Sequence, residues 1–412
     1  NNQLIKKHFS RIFTLKLILS LLYLLILIFA GFVFDFSLKE IKWLVIIGFN
    51  QVLVGIILYL RSNLSALLLF KRDGLLSVID RLILILFCGY FIWVKTTQSF
   101  ITIDFFILSQ TFAYLLTISI GLLSLVKFSK IPKIQWDKLF FALIIKKSIP
   151  YAILIFLMSV YYYSDVIMVE KIRSNIEVVS YAYGYRFFLA FNMLGFLFAG
   201  LLLPIFSKLI AEKRSVVPLS WLSFKLIYFF AFVICISIWT YKSEILKWRY
   251  GITNSVLEHS SDTFGWLMVS FIAISCNYIF GTLLTANGSL KSLNILAVFG
   301  IIINIFLNLF LIPESGSVGA AFASAFTQFF ILIFQFILCF KYFKFNYHIF
   351  SIIQILSFTL FSILGAYNLN ILSSINWNYK LLITVLMGFI FGMILKLINF
   401  KEFYQLIKTS KS

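Results

Sequence analysis

The chain has 412 residues, of which 62% are hydrophobic, 19% aromatic and only 12% charged, with a formal net charge of +20. A water-soluble domain carries roughly 25% charged residues, so a soluble globular protein is excluded and lipid must be the solvent for most of the chain. In lipid every backbone N–H and C=O must be paired internally, which leaves helices or a closed barrel.

Barrel strands alternate apolar and polar residues over about ten positions. The apolar runs here are continuous for about twenty, the length that crosses a bilayer as a helix. The expected fold class is therefore an all-α polytopic membrane protein of about twelve transmembrane helices. In chain order the spans lie near 14–34, 41–60, 75–93, 105–126, 149–168, 178–206, 219–240, 264–286, 292–312, 318–340, 349–369 and 380–399. Trp43, Trp93, Trp221, Trp239, Trp266 and Trp377 fall at or near span ends, as an interfacial aromatic belt requires.

The positive charge is distributed by topology. Loops on the side of the N-terminus hold twenty-two Lys and Arg, and the alternate loops hold nine, which nine acidic residues offset. The basic side is expected to be cytoplasmic, with both ends of the chain inside, and the charge gives no support to nucleic-acid binding. The longest cytoplasmic loop, near 127–148, is basic and carries Pro132; the longest outer one spans about 241–263. Neither is long enough for a separate catalytic domain, so the chemistry must sit between helices and an enzyme is not expected. Cys88, Cys235, Cys276 and Cys339 all lie in apolar runs without CxxC spacing and read as small core residues. His8, His259 and His348 lie outside the spans or at their edges and assemble no metal site.

Three stretches carry a family resemblance. Leu307-Asn308-Leu309-Phe310-Leu311-Ile312-Pro313 is followed by Gly316-Ser317-Val318-Gly319-Ala320-Ala321-Phe322-Ala323. There Pro313 should stop one helix, Gly316 should allow a tight turn, and the small face of Gly319, Ala320 and Ala323 should let the next helix pack closely. The second stretch is Tyr162 to Met168, with a following span that ends Leu203-Pro204-Ile205-Phe206-Ser207-Lys208. The third is Leu75 to Arg81, which opens a span with Asp80 and Arg81. In order and spacing the chain resembles the bacterial lipid-linked oligosaccharide (O-antigen-unit) flippases, which share a superfamily with the multidrug and toxin extruders.

The resemblance implies two pseudo-symmetric helical lobes and a C-terminal helix pair. The lobes would be residues 1–126, with four helices, and 149–340, with six. Residues 127–148 would be a basic cytoplasmic linker, and 341–412 the extra pair and a cytoplasmic tail. Members usually begin with a pair of spans that has no counterpart here, so two helices are expected to precede Asn1. One position departs from the family: Glu170 and Lys171 follow the S-D-V-I-M span where small residues are usual.

The implied activity is the flipping of undecaprenyl-diphosphate-linked oligosaccharide across a bacterial inner membrane by alternating access, for O-antigen, lipopolysaccharide or capsule synthesis. The implied partners are the lipid-linked oligosaccharide, membrane lipids, and a polysaccharide polymerase and glycosyltransferases. The rival of another class is an ion-coupled multidrug or toxin antiporter, and a membrane polymerase or glycosyltransferase stands behind both.

Ionisable side chains within a span mark function or pairing. Asp165 lies in the outer part of the fifth span, and Arg186 about eight residues into the sixth. Two readings stand. They form a structural pair at similar depth, or Arg186 binds a diphosphate or sugar acid through its bidentate fork while Asp165 releases it or carries a coupling H+ or Na+. No other cofactor is expected. Arg81 and Lys147 are interface anchors or part of a cytoplasmic mouth for the lipid diphosphate, together with Arg61 and Arg72. Tyr163, Tyr185 and Asn277 either anchor and glue helices or line a sugar-binding cavity.

Overall fold

A computed structural model describes residues 2–67, 69–93, 102–126, 133–173, 175–343, 345, 349–371 and 375–397. Lys127, Lys130 and Pro132 of the expected linker, His348, and the tail beyond 397 lie outside the described residues. The described chain is all helical, without strands. It has eleven helices long and apolar enough to cross a membrane, which bears out the fold class.

The helices are α1 (Asn2–Val33), α2 (Leu38–Ala66), α3 (Phe70–Trp93), α4 (Ile103–Val126), α5 (Lys138–Ile172), α6 (Asn175–Ala211), α7 (Val217–Tyr250), α8 (Asn254–Ala286), α9 (Leu290–Phe343), α10 (Ile349–Ile371) and α11 (Trp377–Ile394). Eleven helices hold the twelve expected spans because α9 contains two of them, with the backbone leaving helical geometry at Gly316. Pro313 sits inside the helix and does not end it; the turn comes three residues later, where φ reaches +55°. The expected outer loop 241–263 is also mostly helix. α7 runs past a kink at Tyr241 to Tyr250, and α8 starts at Asn254, so its charges (Lys242, Glu244, Lys247, Arg249) lie on helical turns that project beyond the apolar run.

The chain divides into two compact units, 1–147 and 148–412. In the first, α2 packs against α1, α3 and α4. Asn50 anchors the α2–α4 contact, donating to the Ile107 carbonyl and accepting from Thr111. Arg61 is held by Asp73 at 2.7 Å, and Arg72 donates to the Ser124 carbonyl. Both close helix ends, which tells against the mouth reading for these two. Residues 133–137 dock on α1, through Gln135 N–H to Thr14 and an Arg11–Asp137 ion pair at 3.1 Å.

In the second unit α8 is the hub, packed by α6, α7 and α9. Close approach needs small residues: a Cβ on Gly184 of α6 would meet the Phe264 backbone of α8 at 2.8 Å. The small face of α9 behaves as expected, with Ala320, Ala321 and Ala323 fully buried. α10 and α11 pack on each other and on α7.

The break in α9 is clamped by its neighbours. Glu177 accepts from the Ser317 N–H at 2.9 Å and lies 2.7 Å from His259 Nε2. Arg173 donates to the carbonyls of Ile312 and Glu314, which are freed by the irregular turn. A Cβ at position 316 would fall 2.5 Å from Glu177 Oε2. Gly316→Ala is therefore expected to cost about 1–3 kcal/mol through left-handed strain and the clash. Gly200→Ala, whose Cβ would meet nothing within 4 Å, should be neutral or stabilising; thermal unfolding of both variants in detergent checks the contrast.

Candidate functional site

Asp165 is 2% exposed, and its partners come from three other helix segments. Ser324 of the second half of α9 donates to Oδ2, as does Tyr181 of α6 at 3.1 Å; Asn308 of the first half of α9 donates to Oδ1 at 2.7 Å. Asn304, one turn before Asn308, accepts from Asn308 and from Ser164. All of these partners are neutral, and Asp165 makes no ion pair among the described residues. A carboxyl withdrawn from water without a cation is costly as an anion, so the node is matched only when a proton or a small cation joins it. The carboxylate, two carboxamides and the Ser164 and Ser324 hydroxyls supply hard oxygen donors of the kind that suit H+ or Na+. No cluster of three His, Cys, Asp or Glu side chains that could hold a metal ion occurs among the described residues.

Next to the node a cavity of about 400 Å³ opens between α5, α6, α8 and α9. Its wall is largely apolar, with Tyr161, Tyr162, Asn277, Tyr278, Gln328 and Gln335 as its polar lining. Asn277 spends its amide on Gln328, donating to the backbone oxygen at 3.2 Å and to Oε1 at 2.9 Å. The buried Oδ1 of Asn277 and Oε1 of Gln335 accept no hydrogen bond from the protein. Buried acceptors are rarely left without donors, so the cavity suits a neutral group rich in O–H or N–H. Tyr161 and Tyr162 line both this cavity and the small space beside Asp165.

The structure sorts the candidate residues. Asp165, Tyr185 and Asn277 belong to the site; Tyr185 packs between Tyr181 and Phe188 at ring distances of 5.5 Å. Arg186 does not pair with Asp165. Tyr181, Tyr185 and Phe188 share the buried face of α6, and Arg186, five residues after Tyr181, points about 140° away onto an exposed surface. Tyr163 is likewise exposed, at 63%, because two residues on a helix turn it about 200° from Asp165. Arg81 is exposed, with the adjacent Asp80 at 3.6 Å, and Lys147 is exposed on α5.

Ser324 and Gln335 are the site residues that sequence reasoning passed over; Tyr161 and Gln328 stand in the sequence as a tyrosine near Asp165 and a mid-span amide, and the structure places both in the cavity wall. Tyr161 stands four residues before Asp165 and so on the same helix face, a spacing that singles it out from Tyr163. Apart from this site, Lys16 of α1 in the first unit is an ionisable residue within a span that sequence reasoning did not name; it is half-buried mid-helix, with its Nζ 3.4 Å from where a Cβ on Gly55 would sit.

No protein-family model matches the chain, and no curated protein matches it. Among solved structures, a lipid II flippase, MurJ, in an inward closed conformation, is similar in fold. The TM-score is 0.69 at 17% sequence identity, over 93% of this chain and 82% of that one. A MOP superfamily transporter from Pyrococcus furiosus matches at a TM-score of 0.40 and 17% identity, over 54% of this chain and 52% of that one; that score is too low to establish a shared fold.

Asn308→Leu should leave Asp165 Oδ1 and Asn304 Oδ1 without their shared donor. A loss of about 1–3 kcal/mol is expected, read as a lower unfolding midpoint, with Asn294→Leu at the half-buried end of α9 costing less. The chain thus pairs a buried, uncompensated carboxyl with the fold of a solved membrane flippase along nearly its whole length.

Proposed function

We propose that the chain is an ion-coupled flippase. It carries an undecaprenyl-diphosphate-linked oligosaccharide from the inner to the outer leaflet of a bacterial cytoplasmic membrane by alternating access, for surface polysaccharide such as O-antigen or capsule. The observation that carries this reading is a single one: a buried carboxyl with only neutral partners among the described residues, one of which, Ser324, is hydrogen-bonded to Tyr161 in the wall of a cavity with unmatched acceptors. The chain-long fold likeness to a lipid II flippase supports a lipid-linked cargo.

In this reading Asp165 takes up H+ or Na+. Arg186, exposed and without an ion pair among the described residues, binds the diphosphate through two parallel N–H donors. Asn277 and Tyr185 meet the sugar side, with Tyr163 at its edge, and Arg81 and Lys147 attract the lipid diphosphate at the cytoplasmic face. A drug antiporter would need acidic groups to receive cationic cargo, and no carboxylate lines the cavity among the described residues.

Deleting the gene in its source cell should trap the lipid-linked oligosaccharide in the cytoplasmic leaflet and abolish surface polysaccharide. Normal polysaccharide with new sensitivity to cationic dyes would transfer the protein to the antiporter class. In reconstituted vesicles, Asp165→Asn should remove the dependence of transport on a sodium or proton gradient. Arg186→Lys keeps the charge but loses the fork, so transport should fall about tenfold or more, the equivalent of one charge-assisted hydrogen bond; an unaltered rate would exclude bidentate binding.

A further inference from the structure

We infer that Tyr161 is the positioning residue that transmits the state of Asp165 to the cavity; this rests on the reading of Asp165 as the ion-accepting group. The Tyr161 hydroxyl donates to the Ser324 carbonyl at 3.1 Å and stands 3.1 Å from the Ser324 hydroxyl, which in turn donates to Asp165 Oδ2. The ring of Tyr161 forms part of the cavity wall. A continuous path of two hydrogen bonds therefore joins the buried carboxyl to a surface that a ligand would touch, and all three residues on it are buried.

Donor counting shows what the path does. A hydroxyl has one proton and two acceptor positions. With Asp165 an anion, the Ser324 proton points at Oδ2. When Asp165 is protonated, or a cation sits against its oxygens, Ser324 must present a lone pair to the proton or ion, and its own proton turns away. The Tyr161 oxygen is the acceptor within reach. Tyr161 already donates to the Ser324 carbonyl, so it becomes a donor and an acceptor to the same residue, and its ring is drawn toward the second half of α9. No covalent bond changes; one hydroxyl proton reorients. Tyr162 lines the same two spaces but has no hydrogen bond to Ser324, so it supplies the control.

The test is a double-mutant cycle on the full chain in detergent or nanodiscs. Thr282→Cys places a thiol on the cavity wall, and its alkylation by N-ethylmaleimide is followed by mass spectrometry at that site. Neutralising the carboxyl with Asp165→Asn should change this rate about threefold or more when Tyr161 is present, the low end of coupling between residues in one hydrogen-bond network. In the Tyr161→Phe background the same neutralisation should change nothing, because the ring remains and the hydroxyl is gone. Ser324→Ala should abolish the response from the other side of the link, and Tyr162→Phe should retain it. An equal response with Tyr or Phe at 161 overturns the relay. The ion reading has its own readout, the shift of the unfolding midpoint of the unsubstituted chain with sodium or with pH. If that shift is present and the cycle shows no coupling, the relay alone fails. If neither sodium nor pH moves the midpoint and Asp165→Asn leaves the alkylation rate at position 282 unaffected, both fail.

Discussion

A carboxyl withdrawn from water needs compensation, and Asp165 has only neutral hydrogen-bond donors among the described residues. Four oxygen- or nitrogen-bearing side chains, from α6 and from both halves of α9, converge on it or on its nearest neighbours. Their convergence demands that α5, α6 and α9 be held in fixed register, because a turn of slippage in any one would strand the charge. The close α6–α8 approach at Gly184 and the small-residue face of α9 provide that register. Much of the second unit can be understood as the scaffold for one uncomfortable group.

The break in α9 shows how the scaffold is assembled. In a continuous straight helix Asn304 and Ser324 would stand roughly 30 Å apart, the length that twenty residues span, and could not meet at one point. The turn at Gly316 folds the second half back so that Ser324 returns to the level of Asn308. The irregular backbone this creates has carbonyls and an N–H that no helix satisfies. Arg173 takes up two of the carbonyls and Glu177, itself held by His259, takes up the N–H. Backbone irregularity at membrane depth survives only where it is so covered. The clamp at Gly316 and the hydrogen-bond cluster at Asp165 are thus both consequences of one break in α9.

The spans, their number and the small-residue face were legible in the sequence, because hydrocarbon imposes a simple rule on composition. Asp165 was legible too, as a lone acid in an apolar run. The face of a helix was not. Arg186 and Asp165 sit at similar depth, and depth alone suggests a pair; rotation about α6 separates them. In a helix that is apolar all round, polar periodicity cannot say which side is in. Reading the i, i+4 neighbours of Asp165 favours Tyr161 over Tyr163. The projecting ends of α7 and α8 resemble loop in the sequence because charge, not backbone geometry, marks where an apolar run stops. The break expected at Pro313 comes three residues later for a similar reason, since a proline is tolerated in a helix whose carbonyls find other donors, while φ +55° with ψ −131° beside the Glu177 carboxylate suits glycine.

The separation of Arg186 from Asp165 has its own consequence. Had the two formed a buried ion pair, each would be permanently compensated, and neither would respond to a proton, a sodium ion or an anion from outside. With Asp165 and Arg186 apart, the proposed function leaves the carboxyl to a cation and the guanidinium to an anion, and the α5–α6 hairpin would carry both demands. Occupying either site changes the charge that this hairpin must carry through the membrane, and α6 cannot shift without moving Tyr181 against Asp165. A hairpin bearing two opposite charges on separate faces is, in the proposed reading, the element that would link ion entry to the movement of an anionic lipid.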